Sequence, residues 1–150
     1  MNSLLLRALL ASLPVLGLAL DPKSGFLCGT SVLLALLLAT LIFLTLHPLL
    51  PKVLHRLSFF LLLGVLGVAG IEFFSIPPLF LVSLILLPLP DLFREPKKHQ
   101  RIWEKTLFTG LYFWTFLVGH ALVTGLLGRG MGIPLFHEPA GSYFLLGLAV

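Results

Sequence analysis

The sequence contains a long apolar run, Phe26–Leu46, that holds no charged side chain. About 20 apolar residues in an α-helix are enough to cross the hydrocarbon core of a bilayer, so this run predicts a transmembrane helix. The whole chain is 58% hydrophobic and 11% charged, whereas a water-soluble domain carries about a quarter charged residues. We therefore predict an all-α integral membrane protein in which residues 1–150 form a single transmembrane domain.

Two further runs, Val53–Phe73 and Thr106–Leu127, are also long enough to span. Leu4–Leu20, Pro77–Phe93 and Ala140–Val150 are shorter, and the first two are interrupted by proline. Short proline-broken segments at corresponding places in two halves are typical of inverted repeats. The sequence thus predicts a helical bundle of five or six segments, arranged as a degenerate inverted repeat of two three-helix halves. It leaves open whether the short segments span the membrane or re-enter it.

Two connections are rich in residues that interrupt helices. Asp21–Gly25 is predicted to be a polar turn, and Gly128–Pro139 is predicted to be a glycine-rich loop. Either the last segment, Ala140–Val150, is a half-helix, or the chain continues beyond it.

Cations are distributed unevenly over the two sides that these segments define. The positive-inside rule places the richer side in the cytoplasm, together with the N-terminus and the loop 91–105. The poorer side holds Lys23 and Arg129. The richer side holds Arg7, Lys52, Arg56, Arg94, Lys97, Lys98, Arg101 and Lys105.

The strongly polar stretch Asp91–Lys105 predicts a docking surface for a cytoplasmic partner subunit. The cations that carry this prediction are Arg94, Lys97, Lys98, Arg101 and Lys105. The net charge of +4 is explained by topology and by contacts with anionic membrane lipids, so no nucleic-acid partner is predicted.

Small residues form a strip along the third segment. Gly64, Gly67 and Gly70 are spaced three apart, which leaves a smooth surface where another helix can approach closely. We predict that a helix of a partner subunit packs there.

Few side chains in the apolar segments can do chemistry. Glu72 and His120 are the candidates for a polar path, since ionisable groups inside a membrane are often functional. For His120 a haem or quinone contact and a helix–helix hydrogen bond both remain open. Cys28 is interpreted as a small core residue. With no Ser/His/Asp set, paired carboxylates or zinc spacing in the sequence, we predict no enzymatic activity, no metal and no cofactor.

The order of segments resembles that of the paired membrane subunits of the Rnf electron-transport complex and of the sodium-pumping NADH:quinone reductase, particularly the RnfE/NqrD side. Ser12-Leu13-Pro14 lies where the family has Leu-Cys-Pro, and residues 78–93 lie over its second cysteine motif. Further on, Gly128-Arg129-Gly130 and the stretch 139–148 are similar to the family's later motifs. The resemblance implies a bacterial inner-membrane protein that assembles with other integral subunits of a redox complex.

The chain departs from this family at the positions that matter for electron transfer. Leu13 and Leu84 stand where the family has the two cysteines that each subunit contributes to a shared two-iron, two-sulfur cluster. Such clusters need thiolate or imidazole donors, which leucine cannot supply. The sequence therefore predicts a non-catalytic scaffold subunit of a membrane electron-transport or ion-translocating complex, without its own cluster. The alternative is a small stand-alone transporter or channel.

Overall fold

The computed structural model describes residues 3–17, 20–74, 78, 80–87 and 99–149, and within these ranges the regular structure is entirely helical. This confirms the predicted all-α class. The α-helices are α1 (Ser3–Leu16), α2 (Pro22–Leu46), α3 (His55–Phe74), α4 (Phe80–Leu86), α5 (His99–Gly125) and α6 (Pro139–Ala149). Short 3-10 turns at His47–Leu49 and Lys52–Leu54 join α2 to α3, and a π-helical turn, Leu126–Gly130, and a 3-10 turn, Pro134–His137, join α5 to α6.

Three segments are long and apolar enough to cross a membrane: Pro22–Leu46, His55–Phe73 and Ile102–Gly130. They correspond to the three long runs predicted from the sequence. Helices α1, α4 and α6 have 14, 7 and 11 residues, which is shorter than a bilayer span requires. The chain therefore alternates helices of span length with short helices.

Helix α2 begins earlier than predicted. The Ser24 hydroxyl donates to the Asp21 carbonyl at 2.9 Å and lies 3.3 Å from the Asp21 amide nitrogen. Pro22 fits the first helical position because its missing N–H would have no partner there. The predicted polar turn over residues 21–25 is therefore wrong beyond Asp21, since Pro22–Gly25 form the first turn of a helix.

The polar connections around α5 are also more helical than predicted. The helix begins at His99, inside the stretch predicted to be a loop, and residues 88–98 lie outside the described ranges. At its other end the predicted glycine-rich loop starts as a π-helical turn that continues to Gly130. The chain leaves helical geometry near Gly132, which has a positive φ of 67° that glycine adopts without strain.

Helices α2 and α5 form the most extensive contact and run antiparallel. A Cβ placed on Gly125 would lie 3.1 Å from Pro22, near the start of α2, and one on Gly29 would lie 3.0 Å from the Trp114 ring. Gly110 leaves room for the side chain of Leu33, 2.5 Å from the position of its absent Cβ. These glycines allow the two longest helices to approach closely.

The remaining helices pack around this pair in alternating directions. Phe43 near the end of α2 contacts Phe59 near the start of α3, with ring centroids 5.4 Å apart. Tyr143 of α6 donates to the Leu13 carbonyl of α1 at 3.3 Å. We call the end where α2 begins and α5 finishes the Asp21 end, and the end where α2 finishes and α3 begins the His55 end.

The buried core is shared by α1 to α5. Besides α2 with α5, the packed helix pairs are α1 with α4, α5 and α6, α2 with α3 and α4, α3 with α4, and α5 with α6. Helix α2 is the most buried of the three span-length helices: 50% of its most apolar 18-residue stretch is buried, whereas only 17% of the corresponding stretch of α3 is buried.

Candidate functional site

The two short helices α1 and α4 pack against each other and against the long pair. Each carries the dipeptide Ser-Leu, as Ser12-Leu13 and Ser83-Leu84. Both serines are fully buried, Leu84 is 1% exposed and Leu13 is 37% exposed. The resemblance noted in the sequence aligns Leu13 and Leu84 with cluster cysteines, and this alignment stays a prediction.

The two serines are satisfied differently. Ser12 donates to the Leu9 carbonyl of its own helix at 2.7 Å, whereas the Ser83 hydroxyl has no hydrogen-bond partner among the described residues. Neutral hydroxyls and leucines cannot supply the thiolate or imidazole donors of an iron–sulfur cluster. Across the described ranges, no group of three His, Cys, Asp or Glu side chains converges on a common point.

Cys28 lies in α2 with 5% of its surface exposed and belongs to the apolar core. It is on a different helix from Leu13 and Leu84, so its thiol does not stand in for either position. The interpretation of Cys28 as a core residue remains the simplest account of its burial.

His120 and Glu72, the candidates for a polar path, lie in different environments. His120 is buried in α5, stacks on Phe116 with ring centroids 6.1 Å apart, and its Nε2 has no hydrogen-bond partner in the part of the chain described. Glu72 is exposed on the last turn of α3. The structure therefore gives these two groups no shared buried site.

A different pair makes the polar contact between the long helices. The Trp114 indole nitrogen donates to the Thr30 hydroxyl at 3.1 Å and joins α5 to α2. The Trp114 ring also packs edge-on against Phe26, with centroids 5.7 Å apart. This pair could not be predicted from the sequence, because Thr30 and Trp114 are distant along the chain and neither is charged.

A polar cavity of about 120 Å³ opens at the Asp21 end. Arg129 on the π-helical turn forms an ion pair with Asp21, and both side chains remain largely exposed. The lining consists of Leu20, Asp21, Thr124, Gly125, Gly128, Arg129, Phe136 and His137. Thr124 donates to the His120 carbonyl at 3.0 Å, so the cavity reaches within one turn of the buried imidazole.

The ion pair was missed from the sequence although a signal for it exists. Asp21 and Arg129 have opposite charges and fall in two connections predicted on the same side of the membrane. An exposed pair of this kind adds about 0–1 kcal/mol of stability. It joins the π-helical turn to the residue that precedes α2.

The predicted docking and packing residues are only partly described. Arg94, Lys97 and Lys98 lie outside the described residues, Arg101 falls in the first turn of α5, and Lys105 is half-buried in the same helix. The docking surface therefore stays a prediction.

On the glycine strip, side chains of α4 in the same chain cover two of the three positions. The Leu81 side chain fills the space beside Gly67, and Phe80 lies 3.2 Å from the position of a Cβ on Gly70. At Gly64, no atom of the described ranges lies within 4 Å of the Cβ position. A helix from another subunit at this strip stays a prediction, and Gly64 is the place with room for it.

No protein-family model, curated protein or solved structure is found to match the chain.

Proposed function

We propose that this protein is a non-catalytic scaffold subunit of a membrane electron-transport or ion-translocating complex, holding neighbouring subunits in register without a cluster of its own. The observation that carries the proposal is helix α3. It is long and apolar enough to span the membrane, yet only 17% of its most apolar 18-residue stretch is buried by the rest of the chain.

The exposed apolar residues of α3 form a stripe along the helix. Leu57, Leu61, Val65 and Val68 are all exposed and recur every three or four residues, which places them on one stripe. Glu72 is exposed at the end of this series. Apolar side chains that face lipid are stable without a partner helix. Packing against another helix still favours association, because it adds van der Waals contacts and leaves fewer lipids ordered along the stripe. The α3 stripe is therefore the surface that we assign to a neighbouring subunit.

The packing of the bundle supports the proposed inverted repeat. When α1, α2 and α3 are exchanged with α4, α5 and α6, each packed helix pair named above is replaced by another packed pair. For example, the pair formed by α1 and α5 is replaced by the pair formed by α4 and α2. The pair formed by α2 and α3 is replaced by the pair formed by α5 and α6. Equivalent helices also run in opposite directions, as an axis in the membrane plane requires.

Such repeats usually build a site where their short helices meet. Here α1 and α4 pack against each other, and Ser12 on α1 and Ser83 and Leu84 on α4 are fully buried or nearly so. These buried side chains are apolar or carry neutral hydroxyls, which suits a structural role. Together with the resemblance to the Rnf and NADH:quinone reductase subunits, this favours a scaffold over an electron carrier.

A second function, a small transporter, is favoured by one specific observation. His120 is buried, its Nε2 has no hydrogen-bond partner among the residues that the structure describes, and it lies one turn from Thr124, which lines the polar cavity at the Asp21 end. Buried ionisable groups mark ion and proton paths in many membrane proteins. Ion flux through liposomes that contain the chain alone, abolished by His120→Phe, would support this function over the scaffold.

The α3 stripe provides the test of the scaffold proposal. We expect Val65→Trp to disrupt partner packing because a large indole would replace a small side chain at the centre of the stripe, while remaining compatible with lipid. The measurement is the ratio of this chain to membrane redox subunits after extraction of native membranes in mild detergent, quantified by mass spectrometry. The wild type should copurify in a fixed ratio, and the variant should lose most of the partner.

Leu122→Trp is the matched control, since Leu122 is exposed on a different helix of span length, α5. It should retain the wild-type ratio. Equal recovery of redox subunits with both tryptophan variants would contradict the assignment of the stripe, and recovery of the wild-type chain without redox subunits would contradict the scaffold proposal.

A further inference from the structure

An apolar groove of about 330 Å³ lies on the outside of the bundle between α3 and α4. Its lining is Phe60, Leu63, Gly64, Leu81, Leu84 and Ile85. Leu63 and Leu84 form a buried floor, and Phe60 and Ile85 are exposed at the rim. A groove with this lining offers no hydrogen bond to a polar ligand and suits a flexible hydrocarbon.

The groove exists because α4 covers only part of the glycine strip. Phe80 and Leu81 fill the space beside Gly70 and Gly67, whereas none of the described residues comes within 4 Å of the Cβ position of Gly64. Helix α4 runs antiparallel to α3, and it ends at Leu86. Among the described residues, the groove is therefore closed by Leu81 near Gly67 and runs along Gly64 and Phe60 toward the His55 end.

A positively charged residue, Arg56, lies beyond the part of the groove that faces the His55 end. Arg56 is exposed and lies one helical turn before Phe60 on the same side of α3. At a rise of 1.5 Å per residue, Arg56 and Gly67 are about 16 Å apart along the axis. One leaflet of the hydrocarbon core is about 15 Å thick. The distance from the cation to the closed end of the groove thus equals the depth of a single leaflet.

We propose that this groove binds one acyl chain of an anionic phospholipid, whose phosphate is held at Arg56. The charge at one end, the apolar lining and the closure at leaflet depth all fit a lipid. A partner helix that crosses the membrane would need a channel open along the whole of α3, and Leu81 closes this one at Gly67.

The predicted topology places the proposed site in the leaflet where anionic lipids concentrate. The His55 end includes Arg56, one of the cations that assign this side to the cytoplasm, and anionic lipids give the cytoplasmic leaflet its negative surface. The groove borders the exposed stripe, because Gly64 lies one turn before Val68 and two turns after Leu57 on α3. The lipid experiment uses the chain alone, so lipid binding and the scaffold proposal are tested separately.

The experiment uses the full chain in phosphatidylcholine nanodiscs that contain a minor fraction of phosphatidylglycerol. In parallel samples, one or the other lipid carries a photoactivatable acyl chain. Labelled peptides are identified by mass spectrometry. We expect labelling of α3 and α4 at the groove, with phosphatidylglycerol preferred about fivefold, because one arginine near the headgroups contributes roughly that factor. Arg56→Gln should remove the preference, and Gly64→Leu should fill the groove and reduce labelling by both lipids.

Matched controls separate the groove from general effects. Gly119 on α5 also has nothing within 4 Å of its Cβ position, so Gly119→Leu adds the same side chain elsewhere and should label like the wild type. Lys23→Gln removes an exposed cation at the Asp21 end and should keep the preference. Gly64→Ala, which adds one methyl group, should reduce labelling partly if Gly64→Leu does not fold.

The proposal would be overturned if Gly64→Leu were labelled as strongly as the wild type, or if the two lipids labelled the wild type equally. A disulfide-linked dimer formed efficiently by Gly64→Cys in a Cys28→Ser background would also overturn it, since a second copy would then occupy the groove.

Discussion

Replacing Phe113 with alanine is expected to lower the free energy of unfolding by about 2–3 kcal/mol. Phe113 is fully buried and belongs to the core cluster, to which α1, α2, α3 and α4 also contribute. In a membrane the unfolded side chain also lies among apolar groups, so the transfer part of the loss shrinks. The lost packing contacts remain, because the surrounding helices collapse only partly into the space.

Phe108→Ala is the control for this substitution. Phe108 lies on the same helix but is 52% exposed, so its removal leaves lipid rather than a cavity. We expect it to change stability by less than about 1 kcal/mol. The measurement is reversible unfolding in mixed micelles with increasing denaturing detergent, followed by circular dichroism. Equal losses for the two variants would contradict the burial of Phe113 between the helices.

Gly141→Ala is expected to cost about 1–3 kcal/mol, although alanine favours helix more than glycine does. A Cβ at Gly141 would lie 2.8 Å from the carbonyl carbon of Leu135 and 2.9 Å from Cα of Phe136. Both are backbone atoms, so no rotation of a side chain relieves the clash. The 3-10 turn Pro134–His137 must therefore move away from the start of α6.

Gly147→Ala in the same helix is the matched control, because within the described part of the chain no atom lies within 4 Å of the Gly147 Cβ position. It should be neutral or stabilise α6 by up to about 1 kcal/mol. Hydrogen exchange of the α6 amides is the measurement, since this helix is short and peripheral and can open without global unfolding. Loss of protection in both variants, or in neither, would contradict the close approach at Gly141.

The sequence was sufficient for the parts of the fold set by long apolar runs. Phe26–Leu46, Val53–Phe73 and Thr106–Leu127 each correspond to a helix of span length. The ends of these helices were predicted less well, because local hydrogen bonds decide them. Ser24 bonds back to Asp21 and extends α2 to Pro22, although the same residues are typical of a turn.

The candidate site was harder to predict because its parts depend on which helices face each other. Gly64, Gly67 and Gly70 are equivalent in sequence, yet α4 covers only the last two. The ion pair between Asp21 and Arg129 likewise depends on the antiparallel packing of α2 and α5. Neither relation follows from composition or spacing, since both arise from contacts between distant segments.

The central proposal is that this chain is a scaffold without an electron carrier, in which Leu13 and Leu84 lie where the resemblance would place cluster ligands. The most direct measurement is the iron and acid-labile sulfide content of the chain purified alone, combined with electron paramagnetic resonance of the reduced sample. The account predicts neither iron nor sulfide in proportion to protein. A rhombic signal with stoichiometric sulfide that follows this chain alone would contradict it.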